Sequence, residues 1–438
     1  MISRVPSYVP EGLLLFAVVF GPLAFGSVEP WSRAVLQIDL FLLLGVCALR
    51  RAPSFENPVY KTLLPALILL IILGALQRLN PRLPADPASW LPSTASALDT
   101  GRELVLWASY ASLLWSAPQV LASRGAARRF AWTLFLLGAF VAVVGIMQRA
   151  HGNTAYYGLR AVRHGLPFGP YVNRDHGASF LVMSAMMGAG LFLSRWIEFR
   201  GRESMGEKTD VAAAQAATVF LLGIIVFGII SSRSRGAVNA MAAAVWLTGL
   251  LATGFFKNAR LRWGSRAIVG FGAFGYLVFL WNHPHWIGSI LKTPDLSTAY
   301  RLSMYRGGLD MIRDFPLWGV GLGTLRSAFP AYQERMLIPV VDHLHSDWLE
   351  VAAEMGAAGA IVAAAGLTAF IGANITSWRR ASSSSVRFLT AGALAAIVAF
   401  ICQEAVDFSF HIPGNAVIFL SIAAYVGSLS SPLGGRHV

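Results

Sequence analysis

The sequence predicts an all-α integral membrane protein with about twelve transmembrane helices, on three observations. Of its 438 residues, 55% are hydrophobic and 13% charged, with a mean hydropathy of +0.58. A soluble domain of that length needs more charge to cover its surface. Apolar stretches of roughly 17 to 28 residues recur along the whole chain, each long enough to cross about 30 Å of hydrocarbon as a helix. Spanning strands would instead show about ten residues of strict alternation, a pattern not seen here.

The first span starts near Gly12 and lacks the basic leader and small-x-small cleavage site of a secretory signal, so it is expected to remain as an anchor. Eleven more spans start near Arg33, Lys61, Glu103, Phe130, His176, Ala212, Gly236, Ile268, Trp348, Phe388 and Ile412. The ninth, IVGFGAFGYLVFLWN, is expected to be the shortest. If both termini are cytoplasmic, the inner connections are RRAPSFENPVYK, SRGAARR, SRWIEFRGRESMGEK, KNARLRWGSR and SWRRASSSSVR, and each is basic. That agrees with the positive-inside rule, whereas the opposite orientation strands all five on the wrong face. The expected division is residues 1–282, nine spans with an outer loop at 149–176; residues 283–346, a helical outer loop; and residues 347–438, three spans and a short cytoplasmic tail.

The net charge of +13 is accounted for by inner loops facing anionic membrane lipids, and no nucleic-acid partner is needed to explain it. With Arg4 and Arg436, 19 of the 35 Lys and Arg residues lie inside and 16 outside. In the outer set Lys292 is the one lysine, and the rest are arginines, whose planar fork grips phosphate at two points. Cys47 and Cys402 both fall in apolar spans, which suggests neither a disulfide framework nor a thiolate metal site.

Three outer connections stand out. The longest, about His283 to His345, contains AYRLSMYRGGLDMIRDFPLWGVGLGTLRSAFPAYQER, in which Tyr300 to Arg313 reads as an amphipathic helix ended by Pro316 and the glycines. The second, Arg149 to His176, carries YYGLRAVRHGLPFGPYVNRDH, and the third is the short turn SSRSRGA. At the end of the long loop stands HSDWLEVAAEMGAAG. At 100° per residue Gly356 and Gly359 fall about 20° and 40° from His345 on the helix circumference, a histidine above a glycine groove in which another helix packs. Glu354 falls on the opposite side and is poorly placed to orient His345.

Residues 345 to 359 fit the pattern H-[NSQ]-x9-G-x-x-[GTY], and the chain resembles the superfamily of O-antigen ligases and Wzy-type O-antigen polymerases, closest to the ligases. SRSRGA resembles that group's serine-arginine-glycine turn, YRLSMYRGGLDMIRDFPLWGVGLG its loop signature, and FGPYVNRDHGASFL an asparagine-arginine-asparagine-histidine segment. Asp175 replaces the usual asparagine, and Tyr305 stands where tryptophan is frequent. The resemblance implies a GT-C-like glycosyltransferase of the bacterial inner membrane with its active site on the periplasmic face. Its donor would be an undecaprenyl diphosphate-linked glycan and its acceptor lipid A-core or another lipid-linked glycan, with no cofactor. By the same resemblance, Arg235 and Arg301 bind the diphosphate and His345 is the catalytic base, with a pKa near 6.5 if unperturbed. Arg174, His176, Arg233 and Arg306 are further substrate-binding candidates.

Each residue also has a plainer reading. An arginine at a helix end often snorkels to lipid headgroups, and a single histidine there is often just an interfacial residue. His343 is the decoy or helper of His345, and Glu404, Asp407 and His411 form an acid and imidazole cluster that suits substrate orientation or helix capping alike. Tyr156, Tyr157, Tyr171, Trp286 and Trp318 suit sugar stacking and the membrane interface equally. No metal is expected, because no outer Asp-x-Asp pair or His-Glu-x-x-His helix is present. GVGLG lacks the strand and helix of a nucleotide fold and reads as a turn. A polyprenyl-glycan transporter would favour charges at the bilayer midplane and internal repeats. Here Asp39 and Glu350 are the acidic residues placed deeper, and the other notable charges gather at one face.

Overall fold

The computed structural model describes residues 6–50, 55–82, 90–152, 155–157, 160–161, 166–200, 205–253, 258–282, 296–333, 341–381 and 383–430. Arg4, Trp286, Lys292, Arg436 and the start of the long loop at His283 lie outside the described residues. The helices are α1 (Tyr8–Leu23), α2 (Pro30–Ala48), α3 (Pro58–Lys61), α4 (Leu63–Arg78), α5 (Ala97–Leu121), α6 (Arg124–Ala150), α7 (Arg174–Arg200) and α8 (Met205–Ser232). They continue as α9 (Arg235–Ala252), α10 (Ala259–Asn282), α11 (Leu296–Asp314), α12 (Leu325–Ala328), α13 (Asp347–Arg380), α14 (Ser384–Gln403) and α15 (Pro413–Ser430). Among the described residues one small antiparallel pair, β1 (Ala155–Tyr156) with β2 (Arg160–Ala161), is the sheet structure present.

A helix of 16 residues or more occupies each of the twelve expected positions, though not each is long and apolar enough to be a span. Among the described residues, eight helices are long and apolar enough to cross a membrane: α2, α5, α6, α7, α8, α13, α14 and α15. The chain is thus a polytopic membrane protein. Helices α1 and α4 are apolar but shorter, at 16 residues each. At the ninth expected span α10 runs for 24 residues, because the Asn258 side chain caps the amide of Arg260 and starts the helix ahead of the apolar run, and it is not among the eight. Likewise α11 begins at Leu296, earlier than Tyr300.

Helices α7 and α15 are the most buried of the eight, at 83% and 89% of their apolar windows. Their close packing follows from glycine. A Cβ on Gly392 of α14 would lie 2.6 Å from the Met186 carbonyl and 2.8 Å from the Gly190 Cα of α7. Similarly, Gly21 of α1 lies against Gly414 of α15, with a Cβ 3.0 Å from its Cα. Small residues let backbones approach where lipid gives no hydrophobic drive for helix pairing.

Helix α13 is broken. Gly356 has φ 63° and ψ −167°, a conformation essentially confined to glycine, and the carbonyls around it are taken by the strap Pro316–Gly321. Ala357 and Ala358 donate to Pro316 and Leu317, while Val320 and Gly321 donate to Ala353 and Glu354. The Glu354 carboxylate accepts the amides of Gly323 and Leu325 at 2.8 Å each. The Gln77 side chain of α4 closes the joint, donating to the Trp318 and Glu354 carbonyls and accepting from Leu322 N. GVGLG is thus a turn, as expected, and its glycines at φ 70°, 114° and 72° are required by it. The groove below His345 receives this strap and not another helix.

Candidate active site

The turn between α8 and α9 is shaped by its serines. Ser232 Oγ accepts the Ser234 amide, Ser234 Oγ accepts the Ala237 amide, and Arg233 between them takes φ 59°. The serines are buried, so Arg233 and Arg235 are left exposed. Beside Arg235, Gly236 lies against Val406, its Cβ position 3.4 Å from Val406 Cγ2, which brings the turn to the loop joining α14 and α15.

That loop carries Phe408, around which histidines from separate parts of the chain gather. His343 stacks on its ring at 4.4 Å and 18°, whereas His345 and His176 meet it edge-on at 4.8 Å and 4.5 Å. His345 is not in α13. It has φ 55° and precedes Ser346, whose side chain caps the helix by accepting the Leu349 amide, so the helical angle counted from His345 to Gly356 does not apply. The departure at Tyr305 is used here: its hydroxyl donates to the His345 carbonyl at 3.0 Å. Arg301, one turn earlier on α11, pairs with Asp175 at 3.7 Å, so both departures touch the site. Arg306 is exposed and lies about 100° around α11 from Tyr305.

Electrostatics set the protonation of these groups. Burial, with the Arg301 charge next, pushes the His345 imidazole down to about 4, not the 6.5 of an unperturbed ring. Its Nδ1 is buried with no hydrogen-bond partner among the described residues. Asp407 lies 3.4 Å from His176 Nε2; burial works against its charge, but the His176 contact outweighs it and holds the carboxyl at about 2. Burial also opposes charge on His411, yet the carboxylates of Glu350 and Asp347 hold its pKa well above the usual value. His411 Nδ1 is 2.5 Å from Asp347 and its Nε2 3.3 Å from Glu350, which also bonds His343 at 2.8 Å. Burial raises Glu404 well above the carboxylate range, with Asp347 beside it adding to the shift.

The structure therefore gathers His345, His343, His176, Asp175, Arg301, Asp407 and His411 at one end of the bundle. Glu350 belongs to this network in the first turn of α13, while Asp39 is buried midway along α2. His343, Glu350 and His411 present ligand atoms within 4.8 Å of one another, a donor set of the kind that holds a cation. These atoms are engaged with one another and with Asp347, so the cluster is satisfied as a hydrogen-bonded network. Tyr156 and Tyr171 are buried, Tyr171 bonding Asn415, and do not offer faces to a sugar. Below Asp347, Glu404 and His411 lies an apolar cavity walled by Trp107, Leu367, Phe400 and Phe419.

Residues 218–364 match the family model described as O-Antigen ligase. That segment, about a third of the chain, is similar to the O-antigen ligase family. No curated protein matches the chain. The matched segment takes in the Ser232–Arg235 turn, Arg301, His343, His345 and the break at Gly356. Arg174, His176 and the Glu404–His411 loop lie outside it, so the cluster is built jointly by the matched segment and the helices around it. The family supports a membrane enzyme acting in glycan transfer related to O-antigen.

Sequence reading missed Phe408 and Asp347. Asp407, Phe408 and His411 stand together in DFSFH, a polar and aromatic run that breaks the apolar pattern, and this run was the available signal.

Proposed function

We propose that the protein transfers a glycan from undecaprenyl diphosphate to lipid A-core at the periplasmic face of the inner membrane, with inversion and without a metal ion. The observation that carries the reading is His345, held on a left-handed backbone beside Arg301, with burial keeping its ring neutral. A neutral imidazole can accept a proton at physiological pH. The acceptor oxygen attacks the anomeric carbon and its proton passes to His345. The bond from that carbon to the diphosphate oxygen breaks, and the electron pair leaves with the diphosphate.

Arg235 and Arg301 stabilise the departing charge, with Arg174, His176, Arg233 and Arg306 as further donor contacts. Asp175 keeps Arg301 turned toward the histidines. The apolar cavity beneath Asp347 suits the hydrocarbon of a lipid substrate, and α11 with the strap after it caps the site on the periplasmic side.

Reconstitution with an undecaprenyl diphosphate glycan and each acceptor separately tests the reading. Product on lipid A-core alone, undiminished by chelator, is expected. Product on a second undecaprenyl-linked repeat alone makes the protein a polymerase, and a complete magnesium-reversible loss with chelator refutes the arginine mechanism.

A further inference from the structure

Three arginines meet near the candidate site, and none of them has a counter-ion among the described residues. Arg149 lies in the last turn of α6, Arg174 opens α7, and Arg233 occupies the left-handed turn after α8. Glycine contacts align the elements that carry them. A Cβ on Gly138 of α6 would be 3.3 Å from Ile225 of α8, and one on Gly228 of α8 would be 2.8 Å from Ala142 of α6. Contacts that advance together along both chains mean that α6 and α8 run parallel. Arg149 and Arg233 therefore leave the bundle at the same end, each about 8 to 10 Å beyond the Ala142–Gly228 contact at 1.5 Å per residue.

Arg174 is brought to them by the residue before Arg149. Gln148 accepts the Gly169 amide at 2.8 Å and donates to the Ala155 carbonyl at 2.7 Å. Phe168 and Tyr171 pair across that turn, Phe168 fills the notch at Gly145, and the Arg174 amide donates to Leu166 at 2.7 Å. Arg149 consequently has Arg233 and Arg174 as its charged neighbours.

Among the described residues, none of the three guanidinium groups makes an ion pair or a side-chain hydrogen bond. Other arginines here are paired: Arg301 with Asp175, Arg33 with Glu103 and Arg129 with Glu11. Gathered like charges repel, and an arrangement of this kind is relieved when a ligand brings the opposite charge. The planar forks of arginine match the oxygens of a phosphate.

We infer that Arg149, Arg174 and Arg233 form a three-guanidinium seat for a phosphate-class dianion, which makes Arg149 a substrate-binding residue. The ligand assignment rests on the glycan-transfer reading: the seat holds one phosphate of the donor diphosphate, while Arg301, partly neutralised by Asp175, serves the side nearer the reacting bond. A phospholipid headgroup carries the same chemistry, so the test separates the two sources.

The probe is inorganic pyrophosphate in magnesium-free, low-salt buffer, read by thermal unfolding of the full chain in zwitterionic nanodiscs. Pyrophosphate is expected to raise the wild-type melting temperature. Arg149→Gln should weaken the apparent affinity about ten- to hundredfold, as loss of one charge-assisted contact does. The ligand-free variant should melt at or above the wild type, because a like charge has gone. Arg233→Gln, on a separate element, carries the same expectation.

An unchanged pyrophosphate response in both variants overturns the seat, as does a ligand-free melting temperature lowered in both. If anionic phospholipid in the discs abolishes the wild-type response, the seat belongs to headgroups and the donor assignment is overturned. Binding is read without turnover. The expected binding pattern in a protein that transfers no glycan therefore upholds the anion seat and removes the glycan-transfer reading instead.

Discussion

His345 combines a strained backbone at φ 55°, a buried Nδ1 without a partner and a carbonyl held by Tyr305. Left-handed geometry in a residue other than glycine costs on the order of 1 kcal/mol or more, and its surroundings must hold it there. If His345 is the base, His345→Ala should lower transfer about 10²- to 10⁴-fold with donor binding retained, since the diphosphate is held by arginines. His343→Ala should cost markedly less, because His343 bonds Glu350 and supports Phe408. Equal turnover of His345→Ala and wild type, at matched abundance and melting temperature, would show an interfacial residue instead. The imidazole is neutral above about 4, so the rate should stay level through pH 6.5 and fall only as acid takes it through about 4. A fall centred on 6.5 would mean that the ring is solvated during turnover. The motif made His345 legible in the sequence. Phe408 was not legible, because its meeting with His176, His343 and His345 depends on how distant segments pack.

Elements show where periodic reading stops working. Counting 100° per residue from His345 to Gly356 assumes one unbroken helix, whereas α13 starts at Asp347 and breaks at Gly356. The glycine pattern was visible, but its partner was not: a strap already rich in glycine fills the break. A Cβ at Gly356 would lie 2.3 Å from the Leu317 carbonyl carbon and oxygen, and its φ of 63° disfavours any side chain. Gly356→Ala should therefore destabilise the fold by at least about 1 to 3 kcal/mol of backbone strain, read as a lowered melting temperature, and should abolish transfer. Gly372→Ala in the same helix is the control. Nothing lies within 4 Å of its Cβ position, so that variant should melt near or above wild type. Equal melting of the two variants would mean that the break is not needed.

At the scale of the whole molecule, the twelve helix positions were readable because apolar runs dominate the chain; their arrangement was not, because packing around α7 and α15 depends on notches at single glycines. Orientation is tested with Ser327→Cys, an exposed site just after the strap. In a Cys402→Ser background, which removes the exposed native thiol, it should react with an impermeant reagent in intact spheroplasts. Labelling only after lysis would reverse the topology. The break in α13 has a mechanical consequence. The first turns of that helix share hydrogen bonds with the strap, and Gln77 pins both to α4. The strap also bonds Ala357 and Ala358 beyond the break, so both halves of α13 are stapled to one segment and Gly356 is a braced elbow, not a hinge. His345 stands two residues ahead of that helix, and its left-handed backbone is thus mounted on a joint braced at once from α4, the strap and α13.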